Sequence, residues 1–405
     1  MQITSPGGNL EKIKYAVLYG ADAVYCAYEK FGLRAFAGNL NKDDLLTAIQ
    51  FCHDHRAKLF LTLNIYSRNE DWFELTEFIE WLSDTEIDGV IVSDPGIFHL
   101  IRSRTQIPLH ISTQSNTTNL HSARFWYEQG AKRVIPAREL SLQELIEINE
   151  SIPELEVEAF IHGAMCIAWS GRCLLSAALN NRSANYGECT QPCRWNWALV
   201  EESRPGQNFP IQEDQYGTYV LSSKDLCLLN EVPSLLAGGI CAGKIEGRMK
   251  SLYYVAQLTR IYRQAVKTDP ADESMWQRLW FEANKVSHRP YYTGFINGFD
   301  QAAIDKSIVV SSGEASTYER EWQFCGTLDD ADNDGLAWFD CFSKISRGED
   351  IEIIFPDLTL DITITVDKIY NQDGELVTDT KPNQKFAMPV TSAIPKHGII
   401  RKCIK

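Results

Sequence analysis

Lys58-Leu59-Phe60-Leu61-Thr62-Leu63-Asn64 is an apolar run that ends on a polar residue. A helical pattern over 71–85 follows it, and then a second run, Gly89-Val90-Ile91-Val92-Ser93-Asp94. Runs this dense in Leu, Ile and Val predict strands buried on both faces. Strands separated by helices predict parallel pairing through helical crossovers.

The unit recurs on both sides of this stretch. Apolar runs stand at 2–5, 23–27, 58–64, 89–93, 109–112, 133–137 and 157–162, with two more at 219–222 and 243–246. Helical patterns lie between them, as at 9–19, 42–55, 71–85, 120–129 and 141–151, with Asn9, Asn41 or Lys42, and Ser141 at N-cap positions. This rhythm predicts an α/β fold, a TIM-like (β/α) barrel of eight strands. Nine candidates for eight places leave one run outside the barrel. After residue 267 the pattern changes. An amphipathic helix is predicted over 271–286, then a connector over 287–295. From about 306 the chain alternates apolar and polar residues between turns, which predicts a small C-terminal antiparallel β-barrel or sandwich domain. The expected division is 1–267, 268–305 and 306–405.

Composition narrows the function. The chain has 405 residues and a net charge of −15. That charge argues against an extended nucleic-acid-coating surface, though not against a local basic groove. The first six residues, Met1 to Pro6, carry no charged and apolar leader pattern. No apolar stretch reaches the roughly 18 residues of a membrane span. A cytoplasmic protein with no membrane segment is expected, and structural disulfides are rare in that compartment.

Eleven cysteines therefore need another explanation. Cys26, Cys52, Cys325, Cys341 and Cys403 stand alone in apolar or strand-like runs and read as small buried hydrophobes. Cys241, in a Gly- and Ala-rich run, reads as core too. Cys166, Cys173, Cys189, Cys193 and Cys227 crowd together. Thiolates in fours hold iron–sulfur clusters or structural zinc. Only Cys189 and Cys193 have the close spacing of a zinc knuckle, so the pattern favours a cluster. Spacing alone leaves Cys193 and Cys227 as rivals for the fourth place.

The expected strand ends are polar, with Asn64, Ser93-Asp94, Ser112-Thr113-Gln114, Arg138-Glu139, His162-Gly163 and Glu246-Gly247-Arg248 among them. In a parallel barrel such positions gather at one rim, where active sites form. Arg34, Arg138, Arg172, Arg182 and Arg248 flank these ends, and several guanidiniums at one rim suit an anionic small molecule. The basic stretch Lys244, Arg248, Lys250, Arg260, Arg263 and Lys267, interleaved with Tyr253, Tyr254 and Tyr262, reads either as a nucleic-acid surface or as a solvated helix with buried tyrosines. Asp330-x-Asp332-x-Asp334-Gly335 lacks the closing Glu of a calcium loop and predicts a hairpin turn.

Ser5-Pro6-Gly7-Gly8-Asn9-Leu10-Glu11, Gly20-Ala21-Asp22-Ala23-Val24-Tyr25, Phe31-Gly32-Leu33-Arg34-Ala35, His162-Gly163-Ala164-Met165-Cys166, Ser170-Gly171-Arg172-Cys173, Gln191-Pro192-Cys193-Arg194 and Lys244-Ile245-Glu246-Gly247-Arg248-Met249-Lys250-Ser251 together resemble the collagenase-like U32 peptidase family. Despite its name, that family includes oxygen-independent hydroxylases carrying a 4Fe–4S cluster. The resemblance implies cluster ligands at Cys166, Cys173, Cys189 and Cys227, with Cys193 in reserve. It implies prephenate, a small dicarboxylate, as hydroxyl source, and tRNA as substrate, with 5-hydroxyuridine formed at the wobble position. Length, C-terminal domain and connector look most like that branch, rather than those acting on ribosomal RNA or a ubiquinone precursor. Substrate binding is expected from Arg34, Asn64, Arg138 and Arg248, and acid–base work from His162 and Glu246. Some cluster enzymes of the family work in pairs, so a partner subunit is a further expectation. The alternative, a peptidase, needs a nucleophile–base pair or a metal-bound water, and the sequence has neither His-Glu-x-x-His nor a Gly-x-Ser-x-Gly elbow.

Overall fold

The computed structural model describes residues 1–31, 39–164, 179, 190, 199–200, 208–209, 212–214, 217–219, 224–298, 319–331, 335–390 and 394–404. Seven parallel strands follow one another round a ring. They are β1 (Gln2–Pro6), β2 (Ala23–Ala27), β3 (Lys58–Leu63), β4 (Gly89–Val92), β5 (Leu109–Ile111), β6 (Arg133–Val134) and β7 (Glu156–Ala164). The strand Ala242–Ile245 pairs in parallel with both β7 and β1 and closes the barrel at eight. The expected α/β barrel is therefore present. Of the ninth run, 219–222, only Tyr219 is among the described residues, and it ends the strand Gly217–Tyr219, which forms a hairpin with Gln212–Asp214.

Local chemistry sets the helices. Asn9 caps α1 (Leu10–Leu18) by accepting from the Lys12 backbone N–H at 2.9 Å, and Asn41 caps α2 (Lys42–Asp54) in the same way at 2.8 Å. The helix α3 (Trp72–Ser83) follows β3. Asp94, with Pro95 next to it, starts α4 (Pro95–Arg104), a helix missing from the sequence reading although its start signal was plain. Asn119 caps α5 (Leu120–Glu128), and Ser141 with Glu144 forms a capping box on α6 (Leu142–Ser151).

One short strand was not anticipated. Asp225–Cys227 runs antiparallel to the end of β7, with Asp225 opposite Ala164 and Cys227 opposite His162. Its other edge pairs in parallel with Tyr291–Tyr292, inside the predicted connector. The barrel rim is thus extended by a clip that ties β7 to the chain leading out of the barrel.

Helix Leu252–Ala265 packs against α1, β1 and helix Glu273–Ala283, and it is buried almost all round. Lys244, Arg248 and Arg260 are buried too, as are Tyr253, Tyr254 and Tyr262. The tyrosines are buried as expected, and with three of the cations buried beside them the stretch is neither a nucleic-acid surface nor a solvated helix. Arg260 serves the contact with the C-terminal sheet, whose order is Ile362–Thr365, Asp350–Ile354, Ile399–Cys403, Trp322–Ala331, Leu336–Cys341, Lys385–Pro389, Ile369–Tyr370 and Leu376–Val377. All its pairings are antiparallel, and register shifts near Phe324 and Leu328 curl it. The start of the predicted C-terminal domain, residues 306–318, lies outside the described residues. The strands flanking the predicted hairpin turn at 330–335 pair as that turn requires.

The sheet joins the barrel through charge as well as oil. Ile354, Leu358 and Ile399 belong to the same apolar core as the barrel helices. Around them Arg260 reaches the Phe355 carbonyl at 2.8 Å, Asp361 at 2.7 Å and Glu282 at 3.1 Å. Arg401 reaches Glu282 at 2.8 Å, and Lys285 lies 2.9 Å from Glu282 and 3.0 Å from Glu352. The Tyr19 hydroxyl lies 3.0 Å from the Ile354 carbonyl and 2.9 Å from that of His397. Cys26, Cys52, Cys325 and Cys341 are buried as expected. Cys403 is exposed, because it ends the last strand at the sheet margin.

Candidate active site at the mouth of the barrel

The barrel interior is unusually polar. Glu158 on β7 receives Arg133 of β6 at 2.6 Å and Lys244 of the closing strand at 2.8 Å, all three buried. The Lys244 ammonium also lies 3.9 Å from the Tyr25 ring centroid, and Arg133 faces Phe60 at 5.3 Å. Burial pushes the neighbouring His110 down to about 3, with Arg133 adding to the effect, so this imidazole is neutral. This charged layer forms the floor of the site.

The rim lies above it. Glu246 follows the closing strand, and its backbone N–H donates to the His162 carbonyl at 2.8 Å. Its carboxylate lies 3.3 Å from the Tyr25 hydroxyl and 3.8 Å from the Arg138 guanidinium. The Tyr25 hydroxyl is also 3.0 Å from the Ile245 carbonyl, so its single proton is shared between two acceptors. Arg138, after β6, stacks on Phe160 at 3.8 Å. That contact takes the face of the guanidinium and leaves its planar donors turned sideways, as anion recognition requires. The Arg138 and Glu246 side chains keep 12% and 14% exposure, so solutes reach them. Arg248 is buried deeper and donates to Thr62 Oγ1 of β3 at 3.3 Å. Asn64 follows β3 on the same rim and is half-buried. A narrow pocket lined by Ala137, Phe160, Leu226, Thr293 and Ile296 opens beside Arg138.

Of the expected rim residues, Arg138 and Glu246 come together, and Arg248 lies against Thr62 of β3. Arg34 lies outside the described residues. His162 stands apart from the Arg138–Glu246 pair, in a box formed by Tyr254, Tyr262 and Tyr291 at centroid distances of 6.1, 5.6 and 5.2 Å. Gly163 beside it has φ +117°, and a Cβ there would lie 2.5 Å from the Glu246 carbonyl oxygen. Only glycine lets β7 pass that close. The tautomer of His162 follows from counting protons. The Tyr262 hydroxyl donates to the Ile161 carbonyl at 2.8 Å, so at 3.2 Å from His162 Nδ1 it can only accept. Nδ1 therefore carries the proton, and Nε2 is a bare, buried acceptor with no partner among the described residues. Burial outweighs the pull of Asp225 and pushes this imidazole down to about 3.

Cys166, Cys173, Cys189 and the reserve Cys193 lie outside the described residues, as do Arg172 and Arg182. Cys227 can be judged. It is free and buried, with the Leu229 backbone N–H directed at its sulfur and the Tyr262 hydroxyl 3.8 Å away. Burial pushes the thiol up to about 11, and those two contacts pull the other way. A water-shielded sulfur with an N–H donor directed at it suits a thiolate held by cationic iron. The described part of β7 beside it reaches Ala164, two residues before Cys166 in sequence. Cys227, the expected ligand among the described residues, fits such a role.

Sequence reasoning missed Tyr25, Thr62, Phe160 and Tyr262. The first three sit on strands at positions facing the rim, a signal that strand periodicity carries. Tyr262 carried none, because it lies on a helix 100 residues from the histidine it touches.

Among the described residues no helix is long and apolar enough to cross a membrane. Comparison with known proteins gives a consistent picture. Residues 8–306 match Peptidase family U32, and residues 320–401 match the Peptidase family U32 C-terminal domain. The chain is 33% identical to tRNA hydroxylation protein P1 of Bacillus subtilis, over 99% of its own length and 94% of that protein's. It is 40% identical to a protein of Methanocaldococcus jannaschii named as an uncharacterized protease, over 73% of this chain and 72% of that one. It is 35% identical to the 23S rRNA 5-hydroxycytidine C2501 synthase of Escherichia coli, over 65% of this chain and 39% of that protein.

Proposed function

The chain belongs to peptidase family U32, and on that premise we propose that it hydroxylates RNA, with a tRNA uridine as target and prephenate as hydroxyl source. The observation that carries this reading is the Arg138–Glu246 pair at the barrel mouth. A carboxylate is recognised by the planar fork of a guanidinium. Arg138 is partly exposed, and Arg248, held on Thr62, is buried. Relatives named for tRNA and rRNA hydroxylation support RNA as the substrate class.

The residues divide the work as follows. Arg138, fixed on Phe160, takes one carboxylate side-on. Replacing a C–H by C–OH on a pyrimidine breaks the donor's C–O bond; the donor carbon keeps that electron pair and ends as C–H, and a base carries the departing proton. Glu246 is the carboxylate within reach, steadied by Tyr25 and freed from Arg138 when the substrate carboxylate takes its place. Anticodon-loop bases are already unstacked, so a uridine can enter without melting a duplex. A 4Fe–4S cluster on Cys166, Cys173, Cys189 and Cys227 would supply one-electron chemistry beside this mouth.

The test starts with anaerobically purified protein. About four irons and four sulfides per chain are expected. Incubation with unmodified tRNA and prephenate, followed by nucleoside mass spectrometry, should show one added oxygen on uridine that depends on prephenate. Bound zinc with no added oxygen, together with cleavage of collagen-like peptides, would instead establish the peptidase reading. Arg138→Ala should raise the KM for prephenate about 10- to 100-fold, the worth of one charge-assisted contact, with kcat changed less. Arg138→Lys should not recover it, since an ammonium lacks the planar fork. An unchanged KM would remove Arg138 from the binding site.

A further inference from the structure

The surroundings of Cys227 contain one hydroxyl with a choice of acceptors. Tyr262 Oη lies 2.8 Å from the Ile161 carbonyl, 3.2 Å from His162 Nδ1 and 3.8 Å from Cys227 Sγ. With His162 in its Nδ1–H tautomer, the single tyrosine proton can serve either the carbonyl or the sulfur. The Ile161 carbonyl does not depend on it, because the Leu228 backbone N–H donates to the same oxygen at 2.8 Å. The proton can therefore turn to the sulfur without orphaning a buried carbonyl. His162 Nδ1–H meanwhile donates into the tyrosine oxygen, and hydrogen bonds in such a chain polarise one another. A neutral thiol gains little from a weak O–H···S contact. A metal-bound thiolate gains much more.

We propose that Tyr262 is a positioning residue for the iron–sulfur cluster, its hydroxyl donating to the Cys227 sulfur and so raising the cluster's reduction potential. This rests on the reading of Cys227 as a ligand. A hydrogen bond to a ligand sulfur stabilises the more negative, reduced cluster more than the oxidised one, and hydrogen bonds to sulfur are among the levers that set such potentials. Tyr262 is placed for this by the buried helix Leu252–Ala265, which also carries Tyr254 to the other side of the His162 ring.

The experiment is an EPR-monitored redox titration of the full-length, anaerobically reconstituted protein. Wild type, Tyr262→Phe and Tyr253→Phe are compared. The Tyr253 hydroxyl is also buried on this helix, but it donates to the Lys285 carbonyl, on the side of the C-terminal sheet. In Tyr262→Phe the reduction equilibrium should shift on the order of tenfold toward the oxidised form, about 59 mV more negative for one electron. Tyr253→Phe should titrate with wild type. A Tyr262→Phe protein with full iron content and the wild-type potential would overturn the inference alone, as would equal shifts in both variants. A wild type that binds no iron and sulfide would overturn the ligand reading and the inference with it. Should Tyr262→Phe fail to hold the cluster, His162→Gln, which keeps the tyrosine and removes the N–H polarising it, decides. A smaller shift of the same sign supports the inference, and no shift overturns it.

Discussion

Glu282→Ala is expected to lose about 3–5 kcal/mol of folding stability, because deleting one partner of a buried ion network leaves the others uncompensated. The carboxylate faces Arg260, Lys285 and Arg401 where the barrel helices meet the C-terminal sheet. Burial by itself would raise this carboxyl, but Arg401, Arg260 and Lys285 together hold it at about 2. Its folded value therefore lies below the unfolded value of about 4.3. Such a group adds stability above pH ~4.3, and the contribution disappears as the pH falls through about 2. Wild type should thus lose stability steeply on acidification, and Glu282→Ala should show a flatter acid limb. Denaturant unfolding at neutral and acidic pH measures both. A variant within about 1 kcal/mol of wild type at neutral pH, the worth of an exposed ion pair, would show the network to be dispensable.

The second large effect is expected inside the barrel. Glu158→Met should cost about 3–5 kcal/mol, since Arg133 and Lys244 both converge on that carboxylate. Here too burial would raise the carboxyl, and Lys244 and Arg133 overcome it, holding it at about 2. The double variant Glu158→Met with Lys244→Met is expected to be more stable than the single one, because replacing a buried pair by apolar groups of similar size is often close to neutral. Strict additivity of the two single effects would mean that the two charges do not act as a pair. The prediction also bears on the mouth. Lys244 lies against the Tyr25 ring, and the Tyr25 hydroxyl steadies Glu246. The charged floor and the reachable rim are thus two ends of one stack of contacts.

The barrel could be read from the sequence because its signals are local. Val90-Ile91-Val92 announces a doubly buried strand from three residues, and Asn9, Asn41 and Ser141 announce helix starts from one residue each. Arg138, Glu246 and Arg248 could be picked out because they follow strands, and parallel topology collects strand ends. What escaped was non-local or context-dependent. The strand Asp225–Cys227 is three residues long and exists because the end of β7 offers it an edge. Arg260 looks like a solvent-facing helix residue because a polar interface and water demand the same residue type. Its partners Glu282 and Asp361 stand 22 and 101 residues away. The grouping of His162, Tyr262 and Cys227 spans 100 residues and follows no period.

The ionic seam between barrel and sheet also has a meaning for the order of synthesis. Helix α1 is made almost first, yet the two carbonyl oxygens that receive its Tyr19 hydroxyl are translated 335 and 378 residues later. Once the closing strand has been made, the finished barrel must present the unmated seam to water until those residues emerge. Hydroxyl, guanidinium and carboxylate groups tolerate such a wait, being hydrated until their partners emerge, whereas a seam of leucine and phenylalanine would invite association between nascent chains. Charge at this boundary, weak as a source of net stability, lets the first two-thirds of the chain stand safely alone while the last third is still being made.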